Sequence, residues 1–269
     1  MTRRTLAPAV QGLVNPAQAK KTTRSRDMKF YRRLNAFDAV SFDLDDTLYD
    51  NWPVIARAEA ALSDYLSQHC PPLAALDKAT LAGFRRQARD QNPAQRFDVT
   101  AMRVAQLTLA GEHVGLTAEK ARAQAQAATT FFCGYRSDFT PPAQSLAYLK
   151  AWSEKLPLVA ITNGNVDTDA IGLTPFFQHI FRAGEHGAAK PSPEMFDKAA
   201  QALSIAPARI LHVGDHLSSD VAGARQAGMQ ACWIRPERQS PMMRKGRTLP
   251  DVAIDDLSEL DTLIQQWHR

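Results

Sequence analysis

Four short apolar runs stop abruptly at polar or acidic residues: 38–43 (Asp-Ala-Val-Ser-Phe-Asp), 157–162 (Pro-Leu-Val-Ala-Ile-Thr), 209–214 (Arg-Ile-Leu-His-Val-Gly) and 230–234 (Gln-Ala-Cys-Trp-Ile). Each is too short for a helix and is bounded by turn or polar residues, so each predicts a buried strand. Helical periods over 143–154, 193–204, 218–228 and 257–267 separate or follow them. Strands alternating with helices predict an α/β fold, a parallel sheet covered by helices on both faces.

Residues 53–138 break that alternation. They hold no strand pattern but four helical periods, the first running from Pro53 through Leu66 and the second over 77–90, stopping before Asn92-Pro93. The third runs from Asp98 to Ala110 and is closed by Gly111; the fourth runs from Ala118 to about Tyr135, with Thr117 as its cap. An insertion of about 85 residues is too long for a loop. It predicts a helical subdomain over the carboxyl edge of the sheet, where open α/β folds bind ligands. The expected division is a basic tail over 1–33, a core from 34–50 and 138–269, and a helical cap over 51–137.

Charge changes the picture only at the N-terminus. The whole chain carries +4, but residues 1–33 hold nine basic residues against Asp27 alone, a net of +8 that leaves −4 for residues 34–269. The basicity belongs to a tail, so a nucleic-acid or membrane-surface role would have to rest on that tail and is not expected of the globular part. The tail is Arg-rich and acid-poor like a transit segment, yet composition favours a disordered extension, with Met28 beginning the working protein. No window approaches the length of uncharged apolar sequence that a membrane span needs. Cys70, Cys133 and Cys232 are odd in number, far apart and without metal-like spacing, which fits a reduced cytoplasmic compartment. The pattern specifies no oligomeric state.

The densest chemistry is Asp43-Leu44-Asp45-Asp46-Thr47-Leu48 at the end of the first strand. Asp43 and Asp45 share a face by alternation. Two such carboxylates repel unless a cation sits between them, and a hard divalent ion such as Mg²⁺ takes carboxylate, water and phosphate oxygens. One carboxylate can then attack phosphorus while the other protonates the leaving oxygen and later activates water. A calcium loop is excluded, because the required Gly and closing Glu are out of place; an acidic turn capping the next helix is the plainer alternative. Thr162-Asn163-Gly164 offers a hydroxyl and backbone N–H groups suited to phosphate oxygens. Lys190, before Pro191, supplies a cation at a helix start. Gly214-Asp215 ends the third strand with another acid, a natural metal ligand, and Asp220 is placed to orient Lys190 or metal-bound water. Singly, these pieces are also ordinary turns and surface charges.

Together, in order, they resemble the four signature motifs of the haloacid dehalogenase superfamily, over residues 38–269. The resemblance implies a Rossmann-like core with an inserted helical cap of the C1 type between the first two motifs. It implies Mg²⁺ held by Asp43, the backbone carbonyl of Asp45 and Asp215, with Asp220 counted in the metal group. Asp43 is then the nucleophile and Asp45 the acid and base. Thr162 and Lys190 stabilise the phosphoryl group, and Leu44 and Asn163 add contacts to it. Family dehalogenases and phosphonate-cleaving members lack an aspartate at the position of Asp45, so the resemblance implies a phosphatase or a phosphomutase, and with no phosphosugar-specific cap identified it implies a phosphatase. The segments 28–33, 45–51, 157–165 and 228–237 are further similar to bacterial phosphatases of flavin mononucleotide (FMN) and of 5-amino-6-(5-phospho-D-ribitylamino)uracil in riboflavin synthesis. That implies a small phosphorylated metabolite, FMN or a riboflavin precursor, as substrate; a broad sugar- or nucleotide-phosphate phosphatase is the alternative. Tyr49 and Trp52, and Phe131 or Phe132, are candidates to stack on a planar ring, with cap–core packing at least as good a reading for Phe131 and Phe132. His212 reads as a hydrogen-bonded core histidine, and His216 as a site or loop residue.

Overall fold

A computed structural model of the chain describes residues 28–235 and 247–267; the expectations for residues 1–27 lie outside the described residues. Seven strands form one sheet: β1 (Lys29–Phe30), β2 (Ala39–Phe42), β3 (Leu158–Thr162), β4 (His179–Arg182), β5 (Ile210–Gly214), β6 (Gln230–Ile234) and β7 (Val252–Ile254). Their order is β1-β7-β6-β5-β2-β3-β4, parallel throughout except for β1, which runs antiparallel on the β7 edge. Residues 28–33, grouped by charge with the tail, therefore include a strand of the sheet. β1, β4 and β7 were not apparent in the sequence. They are two to four residues long, too short for a periodic signal, and pairing rather than composition defines them.

The central strands β2, β3 and β5 are buried at every position because both faces are covered. Val40 and Phe42 of β2, Leu158 and Ala160 of β3, and Leu211 and Val213 of β5 face one core. Helices α6 (Ala143–Ser153) and α8 (Leu257–Trp267) cover it with Leu149, Trp152, Leu260, Leu263 and Ile264. The alternate positions Ala39, Val159, Ile161 and Ile210 face a second core. There α7 (Glu194–Leu203) presents Met195, Phe196, Ala199 and Ala200, an amphipathic helix spacing.

The insertion folds as helices α1 (Asn51–His69), α2 (Pro71–Ala74), α3 (Lys78–Gln91), α4 (Val99–His113) and α5 (Ala118–Arg136). They enclose their own core of Ala58, Leu62, Leu66, Leu107, Ala110, Ala125, Ala128 and Phe132. Four long helices begin on oxygen caps: Asp50, Asp77, Asp98 and Thr117 each accept a backbone N–H of the first turn. The Asp50 cap starts α1 two residues before Pro53. Gly111 does not end its helix, which continues to His113; it lets α4 approach α5, since a Cβ there would stand 3.0 Å from that of Ala121. No helix among the described residues is long and apolar enough to cross a membrane.

This topology decides where chemistry gathers. From β2 the chain proceeds to β3 and β4 on one side and later to β5, β6 and β7 on the other. The carboxyl ends of β3, β2 and β5 therefore lie side by side at the switch point of the sheet, where a crevice opens. Asp43, Thr162 and Asp215 sit at those three ends.

Candidate active site

Asp43 follows β2 directly, its N–H bonded to Val213 O of β5 at 2.9 Å. It lines a pocket of about 290 Å³ with Asp45, Asp46, Thr162, Asn163, Gly164, Lys190, Asp215, His216 and Ser219. Leu44 points the other way, fully buried in the main core.

Lys190 anchors the pocket floor. Its ammonium donates to Asp43 Oδ1 at 2.8 Å and to Ile161 O at 2.6 Å, and pairs with Asp220 Oδ1 at 2.7 Å. Three donors meet three acceptors, which is what an almost wholly buried ammonium requires. Burial opposes the charge on Lys190, but Asp220 and Asp43 outweigh it and hold the lysine above its usual range. Asp220 is buried too, yet Lys190 and His212 keep its carboxyl below the usual carboxylate range. Its second oxygen accepts His216 N at 2.9 Å.

A wide π-type turn over Leu217–Ala222 brings Asp220 back beneath β5, and Gly214 makes room for it. A Cβ on Gly214 would lie 2.4 Å from Asp220 Cγ. His212 bonds to Ser41 Oγ at 2.9 Å and reaches Asp220 at 3.5 Å, the satisfied core histidine expected. His216 caps the π turn, accepting Ser218 N and Ser219 N.

Asp43, Asp215 and Asp220 each offer a carboxylate oxygen within 4.8 Å of the others. Burial, with the charges of Asp220 and Asp45 against that of Lys190, pushes Asp43 up to about 7. Burial and the charges of Asp43 and Asp220 push Asp215 up to about 9. Without further positive charge the two cannot both ionise at neutral pH. A hard divalent cation with oxygen ligands answers that demand, so the donor set fits Mg²⁺.

Thr162 Oγ1 accepts Gly164 N at 2.9 Å, fixing the turn after β3. Asn163 braces Lys190 through its side chain, accepting Lys190 N at 2.8 Å and donating to Lys190 O at 3.0 Å. Asp45 sits at the rim. Tyr49 donates to its Oδ1 at 2.6 Å, and Arg136 of α5 forms an ion pair with the same oxygen. Burial and the Asp45 charge push the Tyr49 hydroxyl far above its usual range, so it remains a donor.

Sequence reasoning missed Arg136 and the use made of Tyr49. The Tyr49 ring packs edge-on against Phe139 at 4.8 Å instead of facing the site. Trp52 is 66% exposed. Phe131 stacks on Tyr65, and Phe132 lies in the cap core beneath Arg103. A basic residue in the last turn of a helix ordinarily answers the helix dipole, so nothing local marked Arg136.

Above this pocket lies a cavity of about 690 Å³ between the cap helices. Its walls are Leu62, Leu66, Leu81, Leu107 and Phe132, with Glu59, Lys78, Arg85, Arg103 and Gln106 among them. Asp45 and Gly164 line both spaces, and Asp45 is the one carboxylate shared by the two linings.

Acids, a hydroxyl and a buried lysine at the switch point of a doubly wound sheet, under a helical insertion, are the architecture of haloacid dehalogenase-like hydrolases. A model of that hydrolase family matches residues 37–228, and the chain belongs to it. Over 88% of its length it is 43% identical to the whole of the 5-amino-6-(5-phospho-D-ribitylamino)uracil phosphatase YigB of Escherichia coli K12. It is 33% identical to a phosphoserine phosphatase of Thermus thermophilus, over 55% of this chain and 59% of that one. The crystal structure of a 2-haloacid dehalogenase from Pseudomonas syringae pv. Tomato DC3000 matches with a TM-score of 0.79 and 33% identity, over 86% of this chain and 99% of that chain. Within its family the chain is a phosphatase.

Proposed function

We propose that the chain is a Mg²⁺-dependent phosphomonoesterase that works through an aspartyl-phosphate on Asp43. Its substrates are 5-amino-6-(5-phospho-D-ribitylamino)uracil, FMN or both. The observation that carries this reading is the place of Asp45, between a small polar pocket and a larger cap cavity. A phosphate held in the first and a leaving group in the second put the scissile ester oxygen beside Asp45.

Asp43 and Asp215, with the backbone carbonyl of Asp45, are the groups that would hold Mg²⁺; bound there, the ion supplies positive charge for the phosphate oxygens and the nucleophile. Both oxygens of Asp220 are taken by Lys190 and the His216 N–H. It therefore serves as the support of Lys190 behind the metal group. Lys190 restrains Asp43 and stabilises charge on the transferring phosphoryl group. Thr162 and the turn at Asn163 and Gly164 receive phosphate oxygens, while Leu44 contributes through its backbone alone. Asp45 protonates the departing alkoxide and then draws a proton from the water that hydrolyses the aspartyl-phosphate. Dehalogenation needs no such proton donor, so Asp45 favours phosphate ester cleavage over the reaction named for the structurally similar haloacid dehalogenase.

The cap cavity supports the substrate class. Its volume is within the range of small-molecule sites, and its apolar walls with charged groups between them suit a planar heterocycle with polar edges. The high identity to a ribitylaminouracil phosphatase points the same way. The test is kcat/KM for the ribitylaminouracil phosphate, FMN and several sugar and nucleotide phosphates, in Mg²⁺ and in EDTA. The reading expects the two ribityl phosphates to lead and EDTA to abolish turnover. Uniformly low values would replace it with a broad sugar- or nucleotide-phosphate phosphatase.

A further inference from the structure

Arg136 ends the cap helix that leads back to the core, yet its side chain is 1% exposed and paired with Asp45 across that boundary. Tyr49 donates to the same oxygen, Oδ1. The other oxygen, Oδ2, faces the turn after β3, where a Cβ on Gly164 would lie 2.5 Å from it and 3.3 Å from Thr162 Oγ1. One oxygen is thus gripped from the cap side, and the other is turned toward the residues that line the small pocket. Arg136 Nη1 is buried without a hydrogen-bond partner among the described residues. A charged donor left so is costly, and a cation serving only the helix end would sit in solvent at no such cost. The cost is explained if the pairing of the guanidinium with Asp45 has a use.

We propose that Arg136, assisted by Tyr49, is a positioning residue for proton transfer, holding Asp45 by Oδ1 so that Oδ2 presents the proton to the leaving oxygen. The inference rests on the phosphomonoesterase reading above. In the step concerned, an Asp43 carboxylate oxygen forms a bond to phosphorus and the ester P–O bond breaks. Its electron pair stays on the leaving oxygen, which takes the proton from Asp45 Oδ2. Because the grip comes from the cap, alignment of the acid depends on how the cap is seated on the core.

Leaving-group dependence tests this directly. For a reaction through a covalent intermediate, kcat/KM covers only the steps through departure of the first product. Alkyl phosphates such as FMN need a proton on the leaving oxygen, whereas p-nitrophenyl phosphate has a leaving group that departs without one. Arg136→Met should lower kcat/KM for the alkyl ester roughly 10- to 100-fold more than for the aryl ester, part of the usual range for a positioned general acid. Asp45→Asn should show the same selectivity, and adding Arg136→Met to it should widen the gap no further. Tyr49→Phe, a milder change, should move the ratio the same way and carries the test if Arg136→Met does not fold. Equal losses on both esters would reduce Arg136 to a structural role, and full additivity with Asp45→Asn would detach it from the acid. Either overturns the inference alone. A native enzyme that hydrolyses neither ester overturns the phosphomonoesterase reading beneath it.

Discussion

The floor and the rim of the active site are built differently. On the floor, Asp43, Lys190 and Asp220 come from three connections at the carboxyl edge of one sheet, after β2, β4 and β5, and every ammonium hydrogen has an acceptor. At the rim, Asp45 belongs to the core but is held by Arg136 from the cap, with one guanidinium nitrogen lacking a hydrogen-bond partner among the described residues. On the proposed reading the floor can serve any phosphate, because its polar groups are satisfied within a rigid frame before substrate arrives. The rim joins two bodies with separate hydrophobic cores, so on the same proposal it is where the chemistry depends on what fills the cap.

The largest effect is expected on the floor. Asp43→Asn should abolish turnover and the acid-stable, hydroxylamine-sensitive label expected of an acyl phosphate; a labelled, active variant would end the covalent route. At the rim, Asp45→Asn should lower kcat/KM for alkyl phosphates by roughly 10²–10⁴ while leaving the melting temperature near that of the native protein. A loss matched on p-nitrophenyl phosphate would show that Asp45 does something other than protonate.

Stability should separate the two regions as well. Asp220→Ala leaves Lys190 buried with one carboxylate instead of two and should cost about 3–5 kcal/mol, read by denaturant unfolding. A cost below about 1 kcal/mol would mean that the floor relaxes. Leu62→Ala in the cap core should cost about 2–4 kcal/mol, and it should loosen amide exchange in the cap helices more than in the sheet.

The smallest effect concerns the cation. Asp43 and Asp215 titrate near 7 and 9 in the folded protein against 3.8 in the free side chain. The folded state therefore binds more protons than the unfolded chain. The stability tied to these two groups is full below 3.8 and is lost as pH rises through about 7 and about 9. A cation that replaces those protons should raise the melting temperature more at about pH 8 than at about pH 6, by a few degrees. A gain from Mg²⁺ that is flat or falls with pH would show that the ion does not displace protons from this pair.

Asp43, Thr162, Lys190 and Asp215 were legible because each lies where a short apolar run stops or a helix begins, and such boundaries show in a local window. The insertion was legible from its length and helical period. Gly111 was misread because a glycine inside a helix looks like a stop until the neighbouring helix is in place. Tyr49 was noticed as an aromatic ring, but it is its hydroxyl that reaches Asp45, a partner found only in the fold. Arg136 carried no signal at all: Asp45 is 91 residues away along the chain.

By itself, then, the sequence determined the alternating core, the helical cap and the acids that meet at the strand ends, because hydrophobic period and strand termination are local properties. Only the tertiary structure paired Asp220 with Lys190, between the two roles left open to it, set Asp45 on the border of both the small polar pocket and the cap cavity, and brought a cap arginine onto it. Those relations join groups distant in the chain, and burial and packing, which no local window contains, set their distances.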